Sequence, residues 1–320
     1  MATVTGLGHS WNLPNFAGEL FTASPVETPL LNLIGGMSGG LVTQNPEFPT
    51  AQLYEFPDAE QPSISEQASA TAPVESQLVR TQEKNVTQIH QRSLKISYHS
   101  LASPGRMSGL NTAGQTPNPQ EELAWQITNA GITATARDIE YSFIMGQYNL
   151  ATNENEVNQT RGMLQLCQEK GTYINAAGAP LDFALLQSLY REMADAGASF
   201  SNMVLFVPAA SKQRISSIYG ELPGAALPAT RTEGGINVSH IMTDFTEIRV
   251  IWNRFMPADT LLLADISVLA PVFQEVPGKG VFFVEELART GAAERRQLYG
   301  EIGLDHGPGF MHGAITGLEV

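Results

Sequence analysis

One stretch constrains this chain more than any other. Between Pro57 and Gln77 only Ile64 and Val74 are large and apolar; Pro, Ser, Ala, Gln and acids fill the rest. A segment of that composition cannot bury enough surface to offset the entropy of ordering it. Five prolines (Pro46, Pro49, Pro57, Pro62 and Pro73) punctuate the wider region. Strand-like segments flank it. "AQLYEF" leads in, and "SLKISYHSL" leads out with Leu94, Ile96 and Tyr98 on one face at period two. Structureless loops beyond about 12–15 residues are uncommon inside a compact domain. The pattern predicts a two-stranded arm over 45–99 that leaves the body and returns. Such an arm is either disordered or laid on a neighbour, and its strand-like flanks favour the neighbour.

Charge points the same way. Only 16% of the 320 residues are charged, against about 25% in an ordinary soluble domain, as expected when copies of a chain cover one another's surface. Net charge is −14, and eight acids (Glu19, Glu27, Glu47, Glu55, Asp58, Glu60, Glu66, Glu75) precede the first cation, Arg80. That start lacks the positive charge of a secretory signal and the arginines of a transit peptide. A basic arm for gripping phosphates is missing too, which argues against tight sequence-independent nucleic-acid binding. The longest apolar run, Leu261 to Ala264, falls far short of the roughly 20 residues a membrane span needs. A lone Cys167 fits a reducing compartment. The expectation is a soluble protein made in a cytoplasm.

The remaining chain reads as α+β. "SPVETPLLNLIGG" offers a short helix with Ser24 as N-cap, Pro25 and Glu27 in its first turn, and Gly35 as stop. A long helix is predicted over 119–146, with Asn118 as N-cap, Pro119 first and Glu121 and Glu122 favouring its dipole. Its stripe runs through Leu123, Ile127, Ala130, Ala134, Tyr141 and Met145, widened by Ile132, Ile139 and Phe143. Beyond 150, "LDFALLQSLYREMADAG" and "PAASKQRISSIYG" read as helices. "NMVLFV", "TEIRVIWN", "DTLLLAD", "VFFVEEL", "RQLYGEIGL" and "MHGAITGL" read as strands. The last two suggest a β-hairpin, with strands near 297–304 and 310–318 around a turn at 305–309.

Catalytic motifs fail on context. "GMSGG" matches a nucleophile elbow around Ser38, but an elbow needs a strand before it and a helix after it. Here a helical segment precedes and Pro46 and Pro49 follow. A glycine turn closing the first helix explains it, and a serine hydrolase using Ser38 stands only as a remote alternative. "GPGFMHG" resembles a dinucleotide loop, yet seven residues further the sequence ends, without the required helix, strand and acid. Asp305, His306 and His312 lack any recognised metal spacing, so turn chemistry accounts for them. No cofactor, metal site or catalytic residue is expected. Arg289, Arg295 and Arg296 are different, because arginines suit carboxylates across interfaces, and this chain is rich in carboxylates.

The order of parts resembles the major capsid proteins of tailed bacteriophages, the Hong Kong 97-like fold. "LFTASPVETPLLNLIGG" is similar to the N-terminal Ser-Pro-x-x-Thr-Pro-Leu-Leu segment of one capsid subfamily. "RRQLYGEIGLDHGPGFMHGAITGL" is similar to its ending. The resemblance implies an N-terminal arm (1–44), an E-loop (45–99), a P-domain (100–174) with a spine helix at about 119–146, and an A-domain (about 175–265). Return strands and the C-terminal hairpin (266–320) complete the body. It implies a structural, non-enzymatic subunit of hexamers and pentamers in an icosahedral shell around double-stranded DNA, carried in the virion and assembled in the host cytoplasm. An encapsulin-like nanocompartment shell is the alternative. Intersubunit contacts are expected at Tyr54, Phe56, Glu60, Glu66, Arg80, Arg289, Arg295 and Arg296. Partners would be other copies, a separate scaffolding protein, a portal and decoration proteins, with no membrane. Crosslinking through an E-loop lysine is not expected, since none precedes Lys84.

Overall fold

The computed structural model describes residues 28–36, 40–55, 61, 63–72, 79–99, 131–221, 231–232, 235–236, 239–288 and 290–319. Helices among them are α1 (Pro29–Leu33), α2 (Glu66–Ser69), α3 (Thr133–Met145), α4 (Met163–Lys170), α5 (Phe183–Asp195) and α6 (Ala209–Glu221). Strands run from β1 (Leu41–Thr43), β2 (Glu47–Glu55), β3 (Val79–Val86) and β4 (Gln88–Ser97) to β5 (Thr172–Asn175) and β6 (Met203–Val207). Then come β7 (Arg231–Thr232), β8 (Gly235–Ile236), β9 (His240–Met242), β10 (Glu247–Trp252) and β11 (Leu261–Asp265). The last four are β12 (Ala270–Gln274), β13 (Phe282–Glu286), β14 (Ala293–Asp305) and β15 (Gly313–Thr316). This is the α+β architecture that the sequence predicts.

Two sheets and two cores organise these elements. The first sheet is built on β14, which pairs with β4 along one edge and with β13 and then β12 along the other; β1 adds in parallel to β12. The second sheet runs β5-β15-β11-β6-β10-β9. Every residue of β6 and β11 is buried, because layers cover both faces. Val204, Phe206, Leu262 and Ala264 enter one core with α1, α3, α4 and the first sheet. Leu205, Val207, Leu261 and Leu263 enter the other with α5. Burial on both faces explains why these strands read as continuous apolar runs rather than alternations. Capping fixes α5: Asp182 Oδ1 accepts from Leu185 N at 2.8 Å, and Gly197 takes a positive φ of 89° after the last turn.

Four expectations need correction. First, no C-terminal hairpin forms, because β14 and β15 lie in different sheets. Residues 306–312 between them are no tight turn. His306 and His312 are fully buried there, and β15 slots between β5 and β11 with Ala314 and Ile315 facing opposite cores. Second, the strand returning from the arm is β3, not "SLKISYHSL", whose first residues lie in β4 against β14. The eight residues of β3, "VRTQEKNV", are too polar to show a period-two signal. Third, α3 buries Ile139, Phe143 and Ile144, while Tyr141 and Ile132 of the predicted stripe are exposed. Fourth, α1 begins at Pro29 behind Thr28. Ser24, Pro25 and Glu27 lie outside the described residues, as does the predicted start of the long helix at 119–130.

Gly313 shows how closely β15 meets α5. A Cβ there would sit 2.6 Å from Met193 Sδ and 2.9 Å from Leu189 Cδ1. Gly313→Val is expected to destabilise the subunit by about 1–3 kcal/mol through overpacking, read as a lower midpoint in urea denaturation.

Candidate assembly surfaces

The arm has a bolted root and an unpacked end. β2 and β3 form its antiparallel stem, with an irregularity between Pro49 and Gln52. At the root Phe48, Ala51 and Val86 are buried. Asn85, also buried, donates from Nδ2 to Leu304 O at 2.7 Å; its Oδ1 accepts from Arg161 N at 2.8 Å and Val86 N at 2.9 Å. One amide side chain thus fastens the arm to β14 and to the turn before α4. Beyond the stem the described residues do not pack on the body. All of residues 63–72 are exposed, Ile64 at 72%, and the single turn of α2 is held only locally by Ser65 Oγ accepting from Ala68 N.

The expected contact residues separate by position. Tyr54 and Arg80 face each other as backbone partners in the stem. Glu66 opens the exposed α2. Phe56, Glu60 and Arg289 lie outside the described residues. The adjacent Arg295 and Arg296 fall on opposite faces of β14 by strand alternation. Arg296 Nη2 donates to Glu286 Oε1 of β13 at 3.0 Å, an ion pair within the subunit. Arg295 sits opposite Lys95 of β4. On the other face an open groove of about 910 Å³ separates β4 from α3, bordered by His90, Arg92, Asp138 and Tyr141. There Arg92 pairs with Asp138.

Glu140 is an anchor that sequence reasoning missed. It is fully buried on α3. Its Oε1 accepts from Leu30 N at 2.9 Å and Asn253 Nδ2 at 2.6 Å, and its Oε2 accepts from Leu31 N at 2.7 Å. The carboxylate therefore caps α1 and ties the N-terminal segment to α3 and to the residue after β10. Burial raises its pKa, opposed by those hydrogen bonds. The only sequence signal is an acid beside Ile139 at the edge of an apolar stripe.

Elsewhere the titratable groups are structural. His312 Nδ1 accepts from Asp265 N at 3.2 Å and its Nε2 donates to His306 O at 2.8 Å; His306 Nδ1 donates to Gly307 O at 2.7 Å. Both rings are neutral struts of the link between the sheets. Asp305 Oδ1 accepts from Gly307 N at 3.2 Å, as turn chemistry predicts. Among the described residues no cluster of three His, Cys, Asp or Glu could hold a metal. Burial pushes the Cys167 thiol up to about 12, so it is no nucleophile. Gly35 and Gly36, both at positive φ, follow α1, and a strand, β1, comes next. That order is the reverse of a nucleophile elbow; Ser38 itself lies outside the described residues.

Burial lowers the pKa of His90, His306 and His312 from 6.5 to about 4. A histidine depressed in the folded state binds its proton more readily when unfolded. It therefore withdraws stability as pH falls below 6.5, levelling off near 4, by on the order of 3 kcal/mol per residue. Glu140 and Asp305, both raised by burial, act with the opposite sign. Urea denaturation of wild type and His306→Gln across this window isolates one histidine. The variant should lose less stability between pH 6.5 and 4 than wild type does.

Comparison with known proteins identifies the family and the fold. The chain matches the family described as SU10 major capsid protein over residues 3–319. No curated protein sequence matches it. Solved structures share its fold at low identity. One from Mycobacterium phage Che8 is 15% identical with a TM-score of 0.54, covering 90% of each chain. The cyanophage A-1(L) capsid asymmetric unit is 11% identical with a TM-score of 0.61, covering 100% of this chain and 98% of that one. The capsid of a native GTA particle is 12% identical with a TM-score of 0.57, covering 99% and 94%. The chain belongs to the SU10 major capsid protein family and is a structural subunit of a phage shell.

Proposed function

We propose that copies of this chain associate into hexamers and pentamers that close an icosahedral shell around double-stranded DNA. The observation that carries this reading is the exposed end of the arm. Ile64 and the other described residues of 63–72 are exposed on their own subunit, and the paired strands β2 and β3 flank them in sequence. Burial of apolar surface is the dominant drive for association, and a neighbouring subunit supplies the missing surface. In this reading β2 and β3 are the stem of an E-loop laid over the adjacent subunit, α3 is the end of the spine helix, and the second sheet belongs to an A-domain facing the capsomer axis. A net charge of −14 suits a wall that surrounds DNA without gripping it. Scaffolding, portal and decoration proteins are separate partners, and assembly takes place in the host cytoplasm.

Two preparations test the proposal. Electron microscopy of the expressed chain, alone or with its scaffolding protein, should show shells or capsomers. Replacing residues 58–76 by a short Gly-Ser linker should leave the unfolding free energy from urea titration within about 0.5 kcal/mol of wild type, as for surface changes generally, yet abolish shells. Shells that form normally without the arm would overturn the role given to it.

A further inference from the structure

The ladder between β4 and β14 sets Lys95 directly opposite Arg295. Opposed residues of an antiparallel pair share a face at close range, and like charges there repel. Among the described residues nothing relieves them. Neither side chain forms an ion pair or a side-chain hydrogen bond, whereas Arg296, one residue on, has Glu286. The flanking rungs on that face are Ser93 with Gln297 and Ser97 with Ala293, which carry no anion. On the next strand Glu285, opposite Gln297, is held by Lys279 Nζ at 2.8 Å. Lys95 is exposed and Arg295 half-buried, so water reaches the pair and so could a ligand. A chain of net charge −14 thus places two uncompensated cations side by side on an open sheet face.

The complementary charge lies in the arm. Residues 55–78 contain Glu55, Asp58, Glu60, Glu66 and Glu75 and no lysine or arginine. Of these acids Glu66 is exposed and forms no ion pair among the described residues. We propose that the Lys95–Arg295 pair receives a carboxylate from the 55–78 segment of a second copy of this chain. This rests on the assembly reading above and names the receiving surface. An ammonium and a guanidinium side by side hold one carboxylate through charge-assisted hydrogen bonds to both its oxygens. The contact removes the repulsion within one subunit and the excess acid of another in a single step. It also gives the arm a register, which its sparse apolar residues cannot supply alone.

Carbodiimide coupling of assembled particles reads this contact directly, because it joins an amine only to a carboxylate it touches. In shells assembled from mixed isotope-labelled and unlabelled protein, mass spectrometry should find Lys95 joined to an acid between 55 and 78 of a different chain. Lys95→Arg, which keeps the charge and lacks the amine, should remove that link and leave the shells intact. Arg295→Gln should lower the yield of the link several-fold. Shells in which Lys95 stays unlinked, or links only to acids outside 55–78 such as Glu19 or Glu27, overturn the proposal. So does a Lys95 that is shielded only in DNA-filled shells, which would make phosphate its ligand. A chain that forms no shells under any condition removes the assembly reading itself, and the inference with it.

Discussion

The rest of the structure depends on β14. Its thirteen residues hold β4 on one edge and β12 and β13 on the other. The buried link that follows then carries the chain into the second sheet as β15. Leu304 at its inner end accepts the amide of Asn85, so the arm's root is fastened to the same strand. Two sheets, two cores and the departure point of the arm are thereby fixed relative to one another by one continuous piece of backbone. A strand with both edges bonded has no freedom to slip register, since a one-residue shift would invert every side chain it presents.

Around that strand the buried polar groups act as fasteners rather than as chemistry. Asn85, Glu140 and His312 each join segments far apart in sequence, and their polar atoms meet backbone groups that would otherwise be buried without partners. A buried acid or imidazole in a cleft is often read as a catalytic candidate. None of the three lines the groove beside β4 or the smaller cavity at Leu181 and Arg214, and each is consumed by what it holds. The unpacked surface lies elsewhere, on the arm and on the open face of the first sheet.

Much of this was legible beforehand. The segment 57–77 cannot build a core because it lacks the apolar residues, whatever its surroundings. The apolar runs of β6 and β11 require burial on both faces. Asp182 and Gly197 bracket α5 by local hydrogen bonding and local φ. Less visible were the polar β3, the short α4 and β5, and the parallel addition of β1 to β12. Each is too short or too polar to carry a periodic signal, and each is held in place by a partner distant in sequence. The predicted stripe on α3 lies one face too far round: Tyr141 and Ile132 are as apolar as Ile139 and Phe143, but Tyr141 borders the groove beside β4 and Ile132 is exposed.

The division between the two levels follows from range. Local pattern is enough for α5 with its cap and stop, for the apolar runs of β6 and β11, and for the want of an interior over 57–77; all of these depend on neighbours a few residues away. Only the tertiary structure decided that β14 and β15 part into different sheets, that Glu140 caps α1, and that Arg295 meets Lys95 while Arg296 meets Glu286. Alternation along a strand says that adjacent arginines point apart, but not what waits on either face. That is settled by strand order and register, which bring together residues about 200 positions apart.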